Sequence, residues 1–424
     1  MYLMNGLTVA KISVFQQCCS ININVFITMI AVCCSYLADS CAMNNRIKKK
    51  NGAMAISRVT DRRTGPTLCL EKRTHDKNKQ NTCCDARAAP FVSSPVSVSA
   101  RQRTVYCMGE TVLDILFRGA VPLSANAGGS ALNSAVSLSR AGVKVSFIGE
   151  VGNDSTGSHI LDFLQANGVG TSLVRRCEGM RTTVSLAYLN ERNDARYVFF
   201  MDMPKDEVGV TLPDFLKDDI LLLGSFYAVN PRNRQRVEQM LAKARACGAI
   251  IYYDVNLRSP HAAMLPQLMP AIYDIMSKAD VVCTSRDDLR TVFGTTNADS
   301  VYHSVIAPRC PHFVCTRGAD AVTIFNGKDK TDYPVKKITT VSTIGAGDNF
   351  NAGFVYGLVR QGVTREQLTK GLSKASWKQL EDTAQLFSQD CCMHLGNYIS
   401  EELGAKVRQD NTPSLGSRKD FVGR

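Results

Sequence analysis

The sequence has few of the residue patterns that identify metal or redox proteins. Its six histidines show no metal-ligand spacing, and its 16 cysteines include no C-x-x-C pair of the kind that binds zinc. The cysteines after residue 100 lie mostly in apolar segments such as VVCTS and FVCTR, where buried free thiols are expected. We therefore predict a reducing, cytoplasmic location, no structural disulfides and no metal held directly by side chains.

The main part of the chain also lacks a strong excess of either charge. The net charge is +12, but residues 1–100 contain 13 Lys/Arg against 5 Asp/Glu and so supply +8, which leaves +4 for the other 324 residues. Nucleic-acid binding is therefore not expected. A hydrophobic content of 45% and a charged content of 21% are typical of a soluble globular protein. A length of 424 residues allows two or three domains, or one α/β domain of about 300 residues.

The first hundred residues contain the one long apolar run, at 23–38, which a basic cluster at 46–50 follows. This run is marginally short for a membrane span, and a signal peptide would need more positive charge before it than Lys11 provides. Three interpretations compete: a membrane anchor, a targeting segment, or an upstream extension without a folded role. We favour the third and predict that residues 1–103 are disordered or non-native. An anchored or secreted protein would depend wholly on this segment.

From residue 104 onward the apolar pattern alternates between strand and helix periods. Such alternation predicts an α/β fold with a mostly parallel sheet and helices on both faces. Ligands bind these sheets at the carboxyl ends of the strands, and the polar segments below follow predicted strands. We predict strands at 104–108, 112–117, 143–149, 220–224, 249–254, 281–284 and 312–316, a hairpin of 182–189 with 196–201, and helices at 130–141, 156–167, 265–277, 286–293 and after Asn230.

The segment VSTIGAGDNF at 341–350 is the most informative motif. Its glycines precede a helical pattern, so the N–H groups of Gly345, Ala346 and Gly347 would lie at an open helix N-terminus that attracts anions. Asp348 adds a carboxylate, which accepts a hydroxyl proton well. Together these features suggest phosphoryl transfer to an alcohol. A tight turn, with the aspartate complementing the helix dipole, explains this motif alone equally well.

Two further segments combine a loop with polar side chains suited to a sugar. In AGGSALN at 127–133, Gly128 and Gly129 let a ligand approach the backbone, and Asn133 offers a donor and an acceptor. This segment is not G-x-G-x-x-G, so it lacks the dinucleotide fingerprint, and a glycine turn with a capping residue is the alternative. Asp114 interrupts an apolar strand, where it lies at a strand end, is exposed, or binds polyol hydroxyls.

Two later segments place polar residues directly after predicted strands. In DVNLR at 254–258, Asp254, Asn256 and Arg258 suit phosphate and magnesium-bound water, because arginine pairs well with phosphate oxygens. In CTRGAD at 315–320, Thr316 and Gly318 suit the edge of a nucleotide site. An ordinary polar loop is the alternative in each case.

The order of these motifs resembles that of the PfkB (ribokinase-like) family of carbohydrate kinases. GGSALN is similar to the first family signature and STIGAGDNFNAGF to the second, which is highly specific. The resemblance covers about 104–405 and leaves a polar tail at 406–424. It implies a ribokinase-like three-layer α/β/α domain with a mostly parallel central sheet and a small β lid from about 112–127 and 182–201, which would close over the sugar.

The resemblance also implies a role for each motif. Asp348 is then the base that takes the proton of the sugar hydroxyl. The amides of Gly345, Ala346 and Gly347 form the anion hole. ATP is the phosphoryl donor, Mg²⁺ is bound through its phosphates, and a monovalent cation and a homodimer through the lid are further options. The sugar is held by Asp114, Gly128, Gly129 and Asn133, and the nucleotide by Asp254, Asn256, Arg258, Ser285, Thr316 and Gly318.

Two positions depart from the family pattern. Ser342 stands where many members have an aspartate before the threonine of the second signature. SRDD at 285–288 stands where many members have N-x-x-E, so that Ser285 replaces the asparagine and Asp288 could replace the glutamate. The second departure bears on how magnesium and phosphate are positioned, and neither one affects the proposed base.

The sequence therefore favours an ATP-dependent sugar kinase that acts on a small sugar, with fructose as the first candidate. Ribokinase, 2-keto-3-deoxygluconate kinase and nucleoside kinase activities are the alternatives within the same class. A catalytically inactive sugar-binding regulator of the same fold is the alternative from another class. The intact GAGD motif with Asp348 argues against this regulator, because an inactive relative would be expected to lose the base first.

Overall fold

A computed structural model describes residues 102–191, 195–202, 211–257, 259–327 and 329–410. The predictions for residues 1–101, for the end of the tail and for Arg258 lie outside these residues. Within them, all eight cysteines are free thiols. None of the helices in this part of the chain combines the length and the apolar character that a membrane crossing needs.

The centre of the fold is a nine-stranded sheet, called the large sheet below, which confirms the predicted parallel arrangement. Its strand order is β13-β12-β11-β10-β9-β8-β1-β4-β5. The pairs from β11 through β5 are parallel, whereas β12 and β13 add antiparallel at one edge. The strands are β1 Thr104–Met108, β4 Lys144–Gly152, β5 Gly170–Cys177, β8 Ile220–Gly224, β9 Ile250–Asp254, β10 Val281–Ser285, β11 His312–Thr316, β12 Ala321–Asn326 and β13 Lys330–Pro334.

Helices cover both faces of the large sheet, because its central strands are apolar on both sides. In β9, Ile250 and Tyr252 belong to one buried cluster, and Ile251 and Tyr253 belong to the other. This period of two is expected of a strand buried between two layers. The helices are α1 Ser130–Arg140, α2 Ser155–Ala166, α3 Ser225–Val229, α4 Arg234–Ala246, α5 Leu265–Lys278, α6 Arg286–Phe293, α7 Ala298–Val301, α8 Ala346–Arg360, α9 Arg365–Lys370, α10 Lys374–Cys392 and α11 Glu401–Gln409.

A four-stranded sheet, called the small sheet below, is formed from the two segments that the sequence assigned to the lid. It consists of β2 Val112–Arg118, β3 Val121–Gly128, β6 Val184–Leu189 and β7 Ala195–Phe200, in the order β3-β2-β6-β7. β6 and β7 are antiparallel, which confirms the predicted hairpin, and β2 pairs parallel with β6.

The structure differs from the sequence predictions in two respects. Strands β3, β5, β12 and β13 were not predicted, and three of them lie at sheet edges, where partly exposed residues weaken the apolar pattern. Helix α11 runs through the predicted boundary between 405 and 406, and its Val407 is buried in the core. The position at which the domain ends remains a prediction, and helix α11 continues past 405 to Gln409.

Candidate active site

One cavity of about 190 Å³ lies at the carboxyl ends of the central strands of the large sheet, beside the small sheet. This is where ligands bind in open α/β sheets. Phe199, Met201 and Thr183 line it from the small sheet and its flanks. Six of the residues predicted from the sequence also line it, namely Asp114, Gly129, Asn133, Asn256, Gly345 and Asp348.

Asp348 lies in the first turn of α8 and is 6% exposed. Helix α1 holds both of its carboxylate oxygens. Ser130 Oγ donates to Oδ1 at 2.7 Å, and Asn133 Nδ2 donates to Oδ2 at 2.8 Å. Ser134 Oγ donates to the backbone carbonyl of Asp348 at 2.8 Å. The sequence predicted Asn133 as a sugar ligand, and the structure places its amide against the proposed base.

Asn133 keeps one polar group unused. Its Oδ1 is buried and has no hydrogen-bond partner among the described residues. A buried acceptor without a donor costs free energy, so such an atom commonly marks the place of a ligand or water. Since Asn133 lines the cavity, its Oδ1 suits the hydroxyl of a bound molecule.

Asn256 was predicted for the phosphate and magnesium region, and it too reaches the base. Its Nδ2 donates to Ser130 Oγ at 3.0 Å and lies 3.5 Å from Asp348 Oδ1. Its backbone φ is +36°, in the left-handed region that non-glycine residues rarely adopt. Backbone strain of this kind is frequent at functional sites.

The glycine loop before α8 is shaped by close backbone packing. Gly345 is the N-cap with φ +79°, and a Cβ there would lie 2.7 Å from the carbonyl oxygen of Asn397. The Ala346 N–H donates to the Thr343 carbonyl at 3.3 Å, so this amide of the predicted anion hole already has a partner. A Cβ on Gly347 would meet nothing within 4 Å, which leaves open space beside the helix N-terminus for a phosphate.

Ser342, which departs from the family pattern, is buried, and its Oγ accepts from the Ile344 N–H at 3.2 Å.

Asp114 sits on β2 of the small sheet and contacts two other parts of the chain. Its Oδ1 accepts a short hydrogen bond from Ser185 of β6, and its Oδ2 accepts from Asn397 Nδ2 at 3.2 Å. A Cβ on Gly128 would lie 2.1 Å from Asp114 Oδ2, so a larger residue at 128 would displace this carboxylate.

A cluster of charged and hydroxyl groups at the other side of the cavity was not predicted. Glu110 accepts from Ser225 Oγ at 2.7 Å, and Glu150 accepts from Tyr227 OH at 2.8 Å and pairs with Arg236. Burial, together with the Glu110 carboxylate, raises the pKa of Tyr227, so its hydroxyl remains a donor. The only sequence signal was the repeated Gly-Glu at the ends of two predicted strands, at 109–110 and 149–150.

The other predicted nucleotide residues end neighbouring strands of the large sheet. Asp254 lies opposite Cys283 in the register of β9 and β10, and Ser285 pairs with Thr316 in that of β10 and β11. These residues do not line the cavity that contains Asp348. Asp254, Ser285 and Thr316 are the last residues of β9, β10 and β11, so they lie at the carboxyl ends of three neighbouring parallel strands. Gly318, in the turn after β11, has φ +63° and open space around it.

Ser285 has a local structural role that explains the departure at this position. Its Oγ caps α6 by accepting from the Asp288 N–H at 3.0 Å, and Asp288 Oδ2 accepts from the Ser285 N–H at 2.7 Å. This reciprocal pair is a capping box. Among the described residues, no group of three or more His, Cys, Asp or Glu is arranged to hold a metal ion.

Comparison with known proteins identifies the family of the chain. The profile of the "pfkB family carbohydrate kinase" matches residues 121–389. "Probable fructokinase-7" of Arabidopsis thaliana is 28% identical over 290 residues, which cover 65% of this chain and 84% of that protein. The 2-dehydro-3-deoxygluconokinase of Dickeya dadantii (strain 3937) is 26% identical over 293 residues, covering 65% and 94%.

Solved structures confirm the ribokinase-like α/β fold. The crystal structure of fructokinase from Vibrio cholerae O395 with fructose, ADP and calcium bound is 22% identical, with a TM-score of 0.63, over 71% of this chain and 96% of that one. Aminoimidazole riboside kinase from Salmonella enterica, crystallised with aminoimidazole riboside and an ATP analogue, is 19% identical, with a TM-score of 0.60, over 73% and 100%. With more than half of its length matched by the family profile, the chain belongs to the pfkB family of carbohydrate kinases.

Proposed function

We propose that this chain transfers the γ-phosphoryl group of ATP to a hydroxyl of a small uncharged sugar, with fructose as the first candidate. The observation that carries the proposal is the position of Asp348, a buried carboxylate fixed by α1 at the wall of a cavity and at the N-terminus of α8. A general base of this kind takes the proton of the attacking hydroxyl, and the helix N-terminus favours the phosphoryl group next to it.

The polar groups of the cavity suit a polyhydroxylated molecule. Asn133 Oδ1 is a buried acceptor that no described residue donates to, and Asp114 and Glu110 add carboxylates that accept hydrogen bonds from hydroxyl groups. The apolar Phe199 and Met201 of the small-sheet side would cover the sugar and exclude water, which competes as a phosphoryl acceptor.

The charge of the cavity favours a neutral sugar over a sugar acid. Five carboxylates line it, of which Glu150 pairs with Arg236, and no lysine or arginine is among its described lining residues. An added carboxylate on the substrate would face these like charges in a partly buried site, where screening by solvent is weak. The carboxylates are Glu110, Asp114, Glu150, Asp202 and Asp348.

For the nucleotide we propose the edge formed by Asp254, Asn256, Ser285, Thr316 and Gly318, with the phosphates directed at the open space beside Gly347. Mg²⁺ carried by the phosphates would neutralise the charge that develops on the transferred group. Gly345 and Gly347 present the loop backbone to that group, and the Ala346 N–H can join them only by releasing the Thr343 carbonyl.

The test is ADP release from ATP in the presence of a panel of ketoses, pentoses and aldonates. We expect fructose to be phosphorylated fastest and 2-keto-3-deoxygluconate to give a lower kcat/KM. Faster turnover of the sugar acid would contradict the assignment of a neutral substrate. No turnover with any sugar, but measurable sugar binding, would identify the inactive regulator instead.

A further inference from the structure

Ser130 connects the proposed base, Asp348, by hydrogen bonds to Asn256 in the loop after β9. It is the first residue of α1, and its Oγ donates to Asp348 Oδ1 at 2.7 Å across 218 residues of sequence. Asn256 Nδ2 in turn donates to Ser130 Oγ at 3.0 Å. A hydroxyl group has one proton to donate. Since Asn256 occupies its acceptor side, the proton of Ser130 is directed at the carboxylate.

Positive φ angles occur at the residue before Ser130 and at Asn256. Gly129, which precedes Ser130, has φ +117°, and a Cβ there would lie 2.2 Å from the Glu110 carbonyl oxygen. Asn256 has φ +36° without being glycine. For Asn256, such a conformation persists only where the surroundings over-determine it. The loop that holds the Asn256 donor against Ser130 is therefore fixed by its surroundings.

The cavity that Asp348 lines contains four further carboxylates. The carboxylates of Glu110, Asp114, Glu150 and Asp202 line the same cavity, as does the imidazole of His261. Cys391 lies on α10, which packs against α8. Burial raises the pKa of its thiol, and the neighbouring Cys392 and Asp348 add to the effect, so this thiol is neutral. Like charges and burial both favour the protonated form of a carboxyl group, which cannot act as a base.

We propose that Ser130 is a positioning residue that keeps Asp348 ionised and oriented for proton abstraction. A hydrogen bond donated to the charged form of an acid stabilises that form. The N-terminus of α1, where Ser130 lies, adds a favourable dipole. The inference rests on the proposed function, because it assigns Asp348 as the base of the kinase reaction.

Ser134 provides a matched control for the test. It lies one turn further along α1, it is 1% exposed, and its Oγ donates to the backbone carbonyl of Asp348 rather than to the carboxylate. Ser130→Ala and Ser134→Ala therefore remove the same hydroxyl from the same helix beside the same residue. Only the first variant removes a donor from the carboxylate.

The kinetic experiment compares the pH profiles of kcat/KM for the wild type and both variants. In Ser130→Ala the acid limb is expected to move to higher pH by about one unit, the shift that corresponds to loss of one charge-assisted hydrogen bond. Ser134→Ala should keep the wild-type limb, and Ser130→Thr, which retains the hydroxyl, should restore it. Asn256→Ala should shift the limb in the same direction by less.

A second measurement does not require activity. Selective ¹³Cγ-aspartate labelling, with the Asp348 signal assigned by its absence in Asp348→Asn, gives the titration midpoint of this carboxyl group by NMR. A higher midpoint in Ser130→Ala than in Ser134→Ala supports the inference. Equal midpoints in the wild type and both variants overturn it, even if the kinase is active. A shifted midpoint in a protein that phosphorylates no sugar would refute the proposed function and leave the tuning of Asp348 established.

Discussion

The large sheet and the small sheet differ in how much of their surface the rest of the chain covers. Every residue of β8 and β9 in the large sheet is buried, whereas four of the eight residues of β3 in the small sheet are exposed, with Val121 62% exposed, and Phe200 of β7 is 61% exposed. Apolar burial is the main source of stability. The rest of the chain therefore buries less of the small sheet than of the large sheet, and closure of the small sheet over the cavity remains a prediction. Pairing of two chains through this exposed sheet remains a prediction.

The largest expected effect separates the stabilities of the two sheets. Phe354 of α8 is fully buried against Tyr252 of the large sheet, with ring centroids 5.5 Å apart. Phe354→Ala is expected to lower the free energy of unfolding by about 3–5 kcal/mol. The same change at Phe200 should cost less than about 0.5 kcal/mol. Urea denaturation measures both, and equal losses would show that the small sheet contributes as much to the core as the large one.

An intermediate effect is expected where the small sheet joins α1. Gly129→Ala places a Cβ against the Glu110 carbonyl oxygen at a φ of +117°, which should cost about 1–3 kcal/mol and raise the KM for sugar. Gly119→Ala is the control, because Gly119 also has positive φ, at +60°, but its Cβ would meet nothing within 4 Å. Equal sugar binding by both variants would contradict the expectation that the close approach of Gly129 to the Glu110 carbonyl shapes the cavity.

The smallest expected effect is on the pH dependence of stability and concerns Asp154, the N-cap of α2. The Asp154 side chain also bonds the chain just before β6. Its carboxylate accepts from the N–H groups of Gly157 and Thr182, each at 2.7 Å. Burial alone would raise the pKa of Asp154, but the hydrogen bonds from Thr182 and Gly157, aided by Arg176, outweigh it and hold the pKa below its usual value.

The pH dependence of stability follows from the direction of this shift. A carboxyl group whose pKa is lower in the folded state stabilises the protein above its unfolded pKa of about 3.9, and loses this contribution as the pH falls through the folded value. The wild type should therefore be more stable than Asp154→Asn at pH 7, and the difference should shrink below about pH 4. Urea titrations of both proteins across this range check it. A difference that does not change with pH would contradict the assignment.

The local parts of this structure could be predicted from the sequence. Strands β8 and β11 and helix α6 lie at the predicted positions, because continuous apolar runs mark the two strands and a helical apolar pattern marks the helix. The parallel order of the large sheet followed from the alternation of strands and helices. Edge strands such as β5 and β13 were missed, because they carry a mixed pattern of buried and exposed residues.

The contacts that build the site could not be predicted in the same way. Ser130 was not singled out, and its bond to Asp348 joins residues that only the topology brings together. The same is true of Asn397, which reaches Asp114 from the far end of the chain, and of the Glu150–Arg236 pair. Hydrophobic periodicity reports on local structure and says little about which distant side chains meet.

The most direct test of the account is the turnover of Asp348→Asn with ATP and the best sugar of the panel. Asparagine keeps the size of the side chain and removes its basicity, so kcat should fall by about 10²–10⁴-fold while sugar binding, measured by calorimetry, is retained. Wild-type turnover in this variant would contradict the assignment of Asp348 as the base.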